Sequence, residues 1–158
     1  MKRLITLIEK ASLVGASLSA LFMVLIVIII TVEIVLRAGF KTSTMISDEY
    51  SAYFFVAVVL LGLAFTLKEE GHIRITLVSS ALGTRAGAAL DIVATLAAMA
   101  LTSFTLFYAS RMVFESWQLN ITADTLAETP IYLSQIVIPI GLALMDLQLA
   151  ARVIRRWL

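Results

Sequence analysis

Four apolar runs, Leu13 to Leu36, Tyr50 to Leu67, Ala86 to Ser110 and Ile131 to Ala151, fill most of the chain and are joined by short charged connections. The hydrocarbon core of a bilayer is about 30 Å thick and a helix rises about 1.5 Å per residue, so about 20 mostly apolar residues cross it. Each run is of that order of length. Backbone groups inside the bilayer find no water, so crossing runs of this kind are helical. A soluble core would need helices with one polar face, yet Leu21 to Val32 is apolar nearly all round, with Thr31 as its only hydroxyl. Composition agrees, with 15% charged residues against about 25% in ordinary soluble domains. The expected fold is an all-α integral membrane protein, a single membrane domain over 1–158, with four transmembrane helices at about 13–36, 47–67, 85–111 and 131–152.

The start of the chain, MKRLITLIEK, places basic residues before an apolar stretch, as a secretory signal does. Glu9 and Lys10 interrupt that stretch, and the small residues of Ala16 to Ala20 precede the long apolar run instead of following it. The first span is therefore expected to be retained. Lys2, Arg3 and Lys10 precede it, Lys68, Arg74 and Arg85 lie between spans two and three, and Arg152, Arg155 and Arg156 follow span four. This lysine and arginine bias predicts both termini and the central loop on the cytoplasmic side.

Span two is expected to start at Ser47, whose hydroxyl would cap the helix, with Asp48 and Glu49 placing negative charge at the positive end of the helix dipole. Its end is marked by Lys68 and then Gly71. Within the central segment, Ile73, Leu77, Val78, Ala81 and Leu82 share one helical face, which predicts a short amphipathic helix in the cytoplasmic membrane interface over about 73–82. Rows of small residues four apart, Gly83 with Gly87 and Ser12 with Ala16 and Ala20, are candidates for close helix contacts, because packing drives helix association in lipid. Pro139 and Gly141 form an isolated interruption in span four. Tyr108, Trp117, Tyr132 and Trp157 fit aromatic belts at the two surfaces.

An ionisable group at mid-membrane costs about 2.5 to 3.5 kcal/mol on insertion scales, so each one needs a reason. Glu33 has Arg37 four residues later on the same face, in the favoured acid-first order. Asp91 follows Arg85 by six residues and Asp146 precedes Arg152 by six, which puts both about 9 Å inside the cytoplasmic ends of their spans. On antiparallel neighbours they would stand at equal depth. They form an ion or proton site, or each pairs with a cation or backbone group of a partner subunit or reaches toward the interface. Cysteine is absent and His72 is the single histidine, which leaves no thiolate ligands and no haem held by two histidines of one chain. No metal site, cofactor or catalytic group is expected, and nothing suggests nucleic-acid binding. The chain does not read as an enzyme.

Asp48-Glu49-Tyr50 with Tyr53-Phe54-Phe55-Val56 opening span two, Gly62 within it, Gly71-His72-Ile73-Arg74 after it, and Thr129-Pro130 before Gln135 and Ile138-Pro139-Ile140-Gly141 together resemble the small permease subunit of tripartite ATP-independent periplasmic (TRAP) transporters. The resemblance covers essentially the whole chain. It implies a bacterial or archaeal inner-membrane complex in which a periplasmic binding protein delivers an organic anion, a carboxylate or sialic acid, to a large elevator-type permease subunit. Sodium would bind on that large subunit. The small subunit would brace it and help dock the binding protein, in contact with membrane lipids. Asp48, Glu49, Tyr53, Gly62, His72, Ile73, Arg74, Pro139 and Gly141 would then support folding or partner contact, and Arg37 and Lys41 could meet an acidic patch on the binding protein. A dipole cap accounts for Asp48 and Glu49, and a headgroup anchor for Arg74, without any partner. The alternatives from the residues alone are a membrane anchor of a respiratory enzyme and a self-sufficient homo-oligomeric channel or exporter.

Overall fold

The computed structural model describes residues 2–69, 83–125 and 127–155. Among them are five helices, α1 (Lys2–Phe40), α2 (Ser47–Lys68), α3 (Gly83–Gln118), α4 (Ile131–Gln135) and α5 (Val137–Arg155). Four segments are long and apolar enough to cross a membrane, Ile5–Phe40, Ser47–Lys68, Ala86–Gln118 and Ile131–Arg155. The expected interfacial helix over 73–82, with His72, Ile73 and Arg74, lies outside the described residues, as does Trp157.

The helices overrun the expected spans in two places. α1 has 39 residues and α3 has 36, about 58 Å and 54 Å of helix. The charge-free part of α1, between Lys10 and Glu33, accounts for about 33 Å, close to one bilayer core. The remaining turns continue because no proline interrupts residues 2–40. The fourth span is broken at Ile136, where α4 ends and α5 begins. Pro139 has no N–H to give to the Gln135 carbonyl four residues back, so the ladder fails there. At the start of α2 the N-cap residue is Ile46, in a near-helical conformation and without a side-chain cap bond. Ser47 is instead helical and buried, 3% exposed, so the expected serine cap does not form.

α5 is the hub. It packs against α1, α2 and α3, α1 and α2 form a closely packed hairpin, and α3 rests on α4 and α5 without extended contact to α1 or α2. The buried stripe of α1 runs through Ile8, Ser12, Gly15 and Glu33. Ala20 is exposed, so the small-residue seam passes through Ser12, Gly15 and Ser19 and not through Ser12, Ala16 and Ala20. Steps of four residues rotate about 40° each around a 3.6-residue helix and soon leave the contact face. Two glycines allow backbones to touch. A Cβ at Gly15 would stand 2.9 Å from the Leu61 carbonyl oxygen, and one at Gly141 would stand 2.7 Å from both Cβ and the carbonyl oxygen of Leu60. The Leu60–Leu61 backbone of α2 is therefore clamped between α1 on one side and α5 on the other. Ser19 Oγ donates to the Val58 carbonyl at 2.7 Å, fixing the register of α1 on α2.

Both chain ends of the bundle lie together. The Arg155 guanidinium pairs with Glu9, and Arg152 stands 4.0 Å from Asp91, so one turn of α5 ties α1 and α3 at this terminal end. The turn over 41–46 and the loop over 119–130 lie at the opposite, loop end.

Candidate functional site

At the loop end, two glutamates fold their neighbouring connections onto the bundle. Glu33, 5% exposed, accepts from Arg37 Nε at 2.6 Å, Ser43 Oγ at 2.5 Å, the Thr44 amide at 3.1 Å and Thr44 Oγ1 at 2.6 Å. A buried carboxylate has about four lone-pair sites. All four are answered, one by a cation on its own helix and three by the turn that follows. The positive φ of Lys41 (54°) and Met45 (57°) reverses the chain sharply enough to bring Ser43 and Thr44 back to Glu33.

Glu49 does the same for the second loop. Its Oε1 accepts from Tyr53 OH at 2.8 Å and its Oε2 from Thr125 Oγ1 at 2.5 Å, while Tyr50 OH and Thr129 Oγ1 lie 3.4 Å apart. The loop is closed on itself by the Ala123 amide to the Thr129 carbonyl at 2.9 Å and the Ile131 amide to the Ile121 carbonyl at 3.0 Å, with an isolated bridge between Thr122 and Pro130. Glu49 is thus a link between α2 and the 119–130 loop as well as a dipole partner. Asp48 is exposed.

Within the span, the Asp146 carboxylate on α5 accepts from Thr102 and from Ser103 Oγ (2.8 Å) on α3. Asp91 and Asp146 do not stand at equal depth. Asp146 lies opposite residues 102–103, 11 positions beyond Asp91, or about 16 Å along α3. The reason is the register of the helix pair, in which Arg152 and not Asp146 comes level with Asp91. Both acids find partners within the chain.

Of the residues singled out from sequence, the fold brings Glu33 together with Arg37, and Glu49 together with Tyr53. Gly62 faces Ser19, whose Oγ would be 3.4 Å from an added Cβ, and Gly141 is the closest helix contact described above. Lys41 is exposed; the Arg37 side chain, 57% exposed, is engaged with Glu33 and also reaches Ser43 at 3.4 Å. Sequence reading missed Ser43, Thr44, Thr102, Ser103 and Thr125, and took Thr129 only as part of the Thr129-Pro130 pair. A signal existed for α3, because Thr95, Thr102, Ala109 and Ser116 are small residues seven apart, and Thr95, Ala109 and Ser116 are at most 7% exposed. A seven-residue repeat of small side chains marks a helix-packing seam.

Chemically this arrangement holds helices and loops in place. No group of three or more His, Cys, Asp or Glu able to hold a metal occurs among the described residues, and the carboxylates of Glu33, Glu49 and Asp146 are engaged by groups of the same chain. Among curated proteins, none matches. The family described as "Tripartite ATP-independent periplasmic transporters, DctQ component" matches residues 26–158, which takes in both loop-end glutamates, the Asp146 clasp and all of α2, α3, α4 and α5. The chain is a member of that DctQ component family, a multi-pass membrane component of TRAP transporters.

Proposed function

We propose that the chain is the small transmembrane scaffold subunit of a sodium-coupled TRAP transporter, bracing the large permease subunit and helping to dock the periplasmic binding protein during uptake of an organic anion of the carboxylate or sialic acid type. The observation that carries this reading is the double fastening of the loop end by Glu33 and Glu49, which gives both connections a fixed shape before any partner arrives. A preformed surface costs less to dock than one ordered on binding. In this reading the loop end faces the periplasm and both termini the cytoplasm of a bacterial or archaeal inner membrane, in keeping with the basic residues flanking the terminal end. Lys41 offers positive charge to an acidic patch on the binding protein. Sodium binds on the large subunit, and this chain holds no cofactor.

The test is uptake of labelled organic anion in the host with and without this chain. Loss of sodium-driven uptake, with the large subunit still made but unstable, is the expected result. Substrate or ion flux in liposomes containing this chain alone would contradict a scaffold role.

A further inference from the structure

Asp146 differs from the acids toward the ends of the described spans. Glu33 is answered by Arg37 at 2.6 Å, Asp91 by Arg152 at 4.0 Å and Glu9 by Arg155. Asp146 receives only the hydroxyls of Thr102 and Ser103, and no described cation pairs with it. Glu49 also lacks a cation but sits in the first turn of α2, where the helix dipole serves. Thr102 lies 11 positions from Asp91 and 9 from Arg111, about 16 Å and 14 Å along α3. The clasp is therefore near the middle of the charge-free stretch from Ile92 to Ser110, the depth at which an unanswered charge is least tolerated.

The surface beside it has a definite form. Leu96, Ala100, Ser103, Phe107, Ser110 and Phe114 are all exposed and follow one another at alternating spacings of four and three, a seam that suits a neighbouring helix. Ser103 is its centre and also one of the two donors to Asp146. Small residues at 100, 103 and 110 let a second backbone come close, and a carboxylate with two hydroxyl donors retains free lone pairs. An isolated ion would need only a pocket, whereas this seam is continuous over about 27 Å.

We propose that Ser103 and Asp146 form the polar centre of a helix-docking seam that takes a transmembrane helix of another subunit carrying a lysine or arginine at mid-membrane depth. The charge of Asp146 is then completed between chains, as the other intramembrane acids are completed within this one. The proposal rests on the reading of the chain as one subunit of a larger membrane assembly, and it assigns the chemistry by which that assembly is joined.

The test is recovery of partner from host membranes with the tagged chain. Wild type is expected to bring down a multi-span partner, Asp146→Asn to lower its recovery at least tenfold, and Thr105→Val, on the same helix as Ser103 but outside both the clasp and the seam, to retain it. Equal loss with Thr105→Val would mean that α3 packing alone is being read, and would overturn the proposal. Retention by Asp146→Asn would overturn it as well, including the case in which that variant loses only a sodium-dependent thermal stabilisation. Independently, a benzophenone amino acid at Phe107 should cross-link to a peptide from a partner's membrane span bearing lysine or arginine; cross-links solely to lipid or to another copy of this chain refute the seam. Recovery of wild type with no partner removes the subunit reading itself, a result distinct from loss of the seam alone.

Discussion

Gly141→Ala adds one methyl group at the tightest point of the bundle, and its cost can be worked from geometry. The new Cβ would lie 2.7 Å from Cβ and from the carbonyl oxygen of Leu60 and 2.8 Å from its carbonyl carbon. Non-bonded carbon contacts are comfortable at about 3.5 Å or beyond, so α5 must move away from α2 by several tenths of an ångström. Two of the three atoms are backbone and cannot rotate aside. Overpacking of this kind costs about 1–3 kcal/mol, and replacing glycine by alanine in a helix returns about 0.5–1 kcal/mol. A net destabilisation of about 1–2 kcal/mol follows, or roughly 2–8 °C in Tm for a chain of this size. Two controls bracket the result. Gly62→Ala meets Ser19 Oγ at 3.4 Å, an ordinary contact, and Gly39→Ala meets nothing within 4 Å. Thermal unfolding in nanodiscs, read by tryptophan fluorescence and by retention on size exclusion, should rank Gly141→Ala well below wild type, Gly62→Ala close to it and Gly39→Ala at or above it. Equal stability of Gly141→Ala and Gly39→Ala would refute the inference that α2 and α5 touch through their backbones.

Glu33→Ala removes the acceptor for four hydrogen bonds, one from a cation, and should cost about 2–3 kcal/mol; faster tryptic nicking after Lys41 and quicker amide exchange at Thr44 are the expected signs. Thr125→Ala unfastens the 119–130 loop from Glu49 without touching a helix, so a cysteine placed at Asp124, in a chain that has none, should react with maleimide faster in that background than in its absence. Thr102→Val, which takes one hydroxyl from the Asp146 clasp, should destabilise by about 0.6 kcal/mol and at most about 1.7 kcal/mol, the range measured for interhelical hydrogen bonds in membranes. Denaturant titration in mixed micelles would show it.

The spans were legible because hydrophobic length is a local property, and so was the Glu33–Arg37 pair, four residues apart on one helix. The tyrosine partner of Glu49 is local in the same sense. Its threonine partner is not, since Thr125 is 76 positions away and no sequence rule links a loop hydroxyl to a distant helix start. The Asp146 clasp was obscured by register. Counting inward from the flanking arginines places two acids at one depth only if the helix ends are level, and α3 and α5 are offset by enough to bring Arg152 opposite Asp91. Ser47 was misread because Asp48 and Glu49 look like a first turn after a capping residue; the helix starts with Ser47 itself, behind a near-helical Ile46. On α1 the relevant row was shifted by a step of three, through Gly15, where a fixed step of four led to exposed Ala20.

The hub of the bundle, α5, is synthesised after the other four described helices. Until α5 is made, α3 lacks the long helix on which it packs, Arg152 is not there to stand opposite Asp91, and Leu60–Leu61 is held from one side only. Without α5, the contacts of this chain leave a packed α1–α2 hairpin and an α3 with no extended contact to it, so α5 is the element that joins the two. A chain cut short before Ile131 would keep most of its hydrophobic segments and lose the element that makes them one body. One 25-residue segment, Ile131–Arg155, therefore decides whether the other spans are joined to one another.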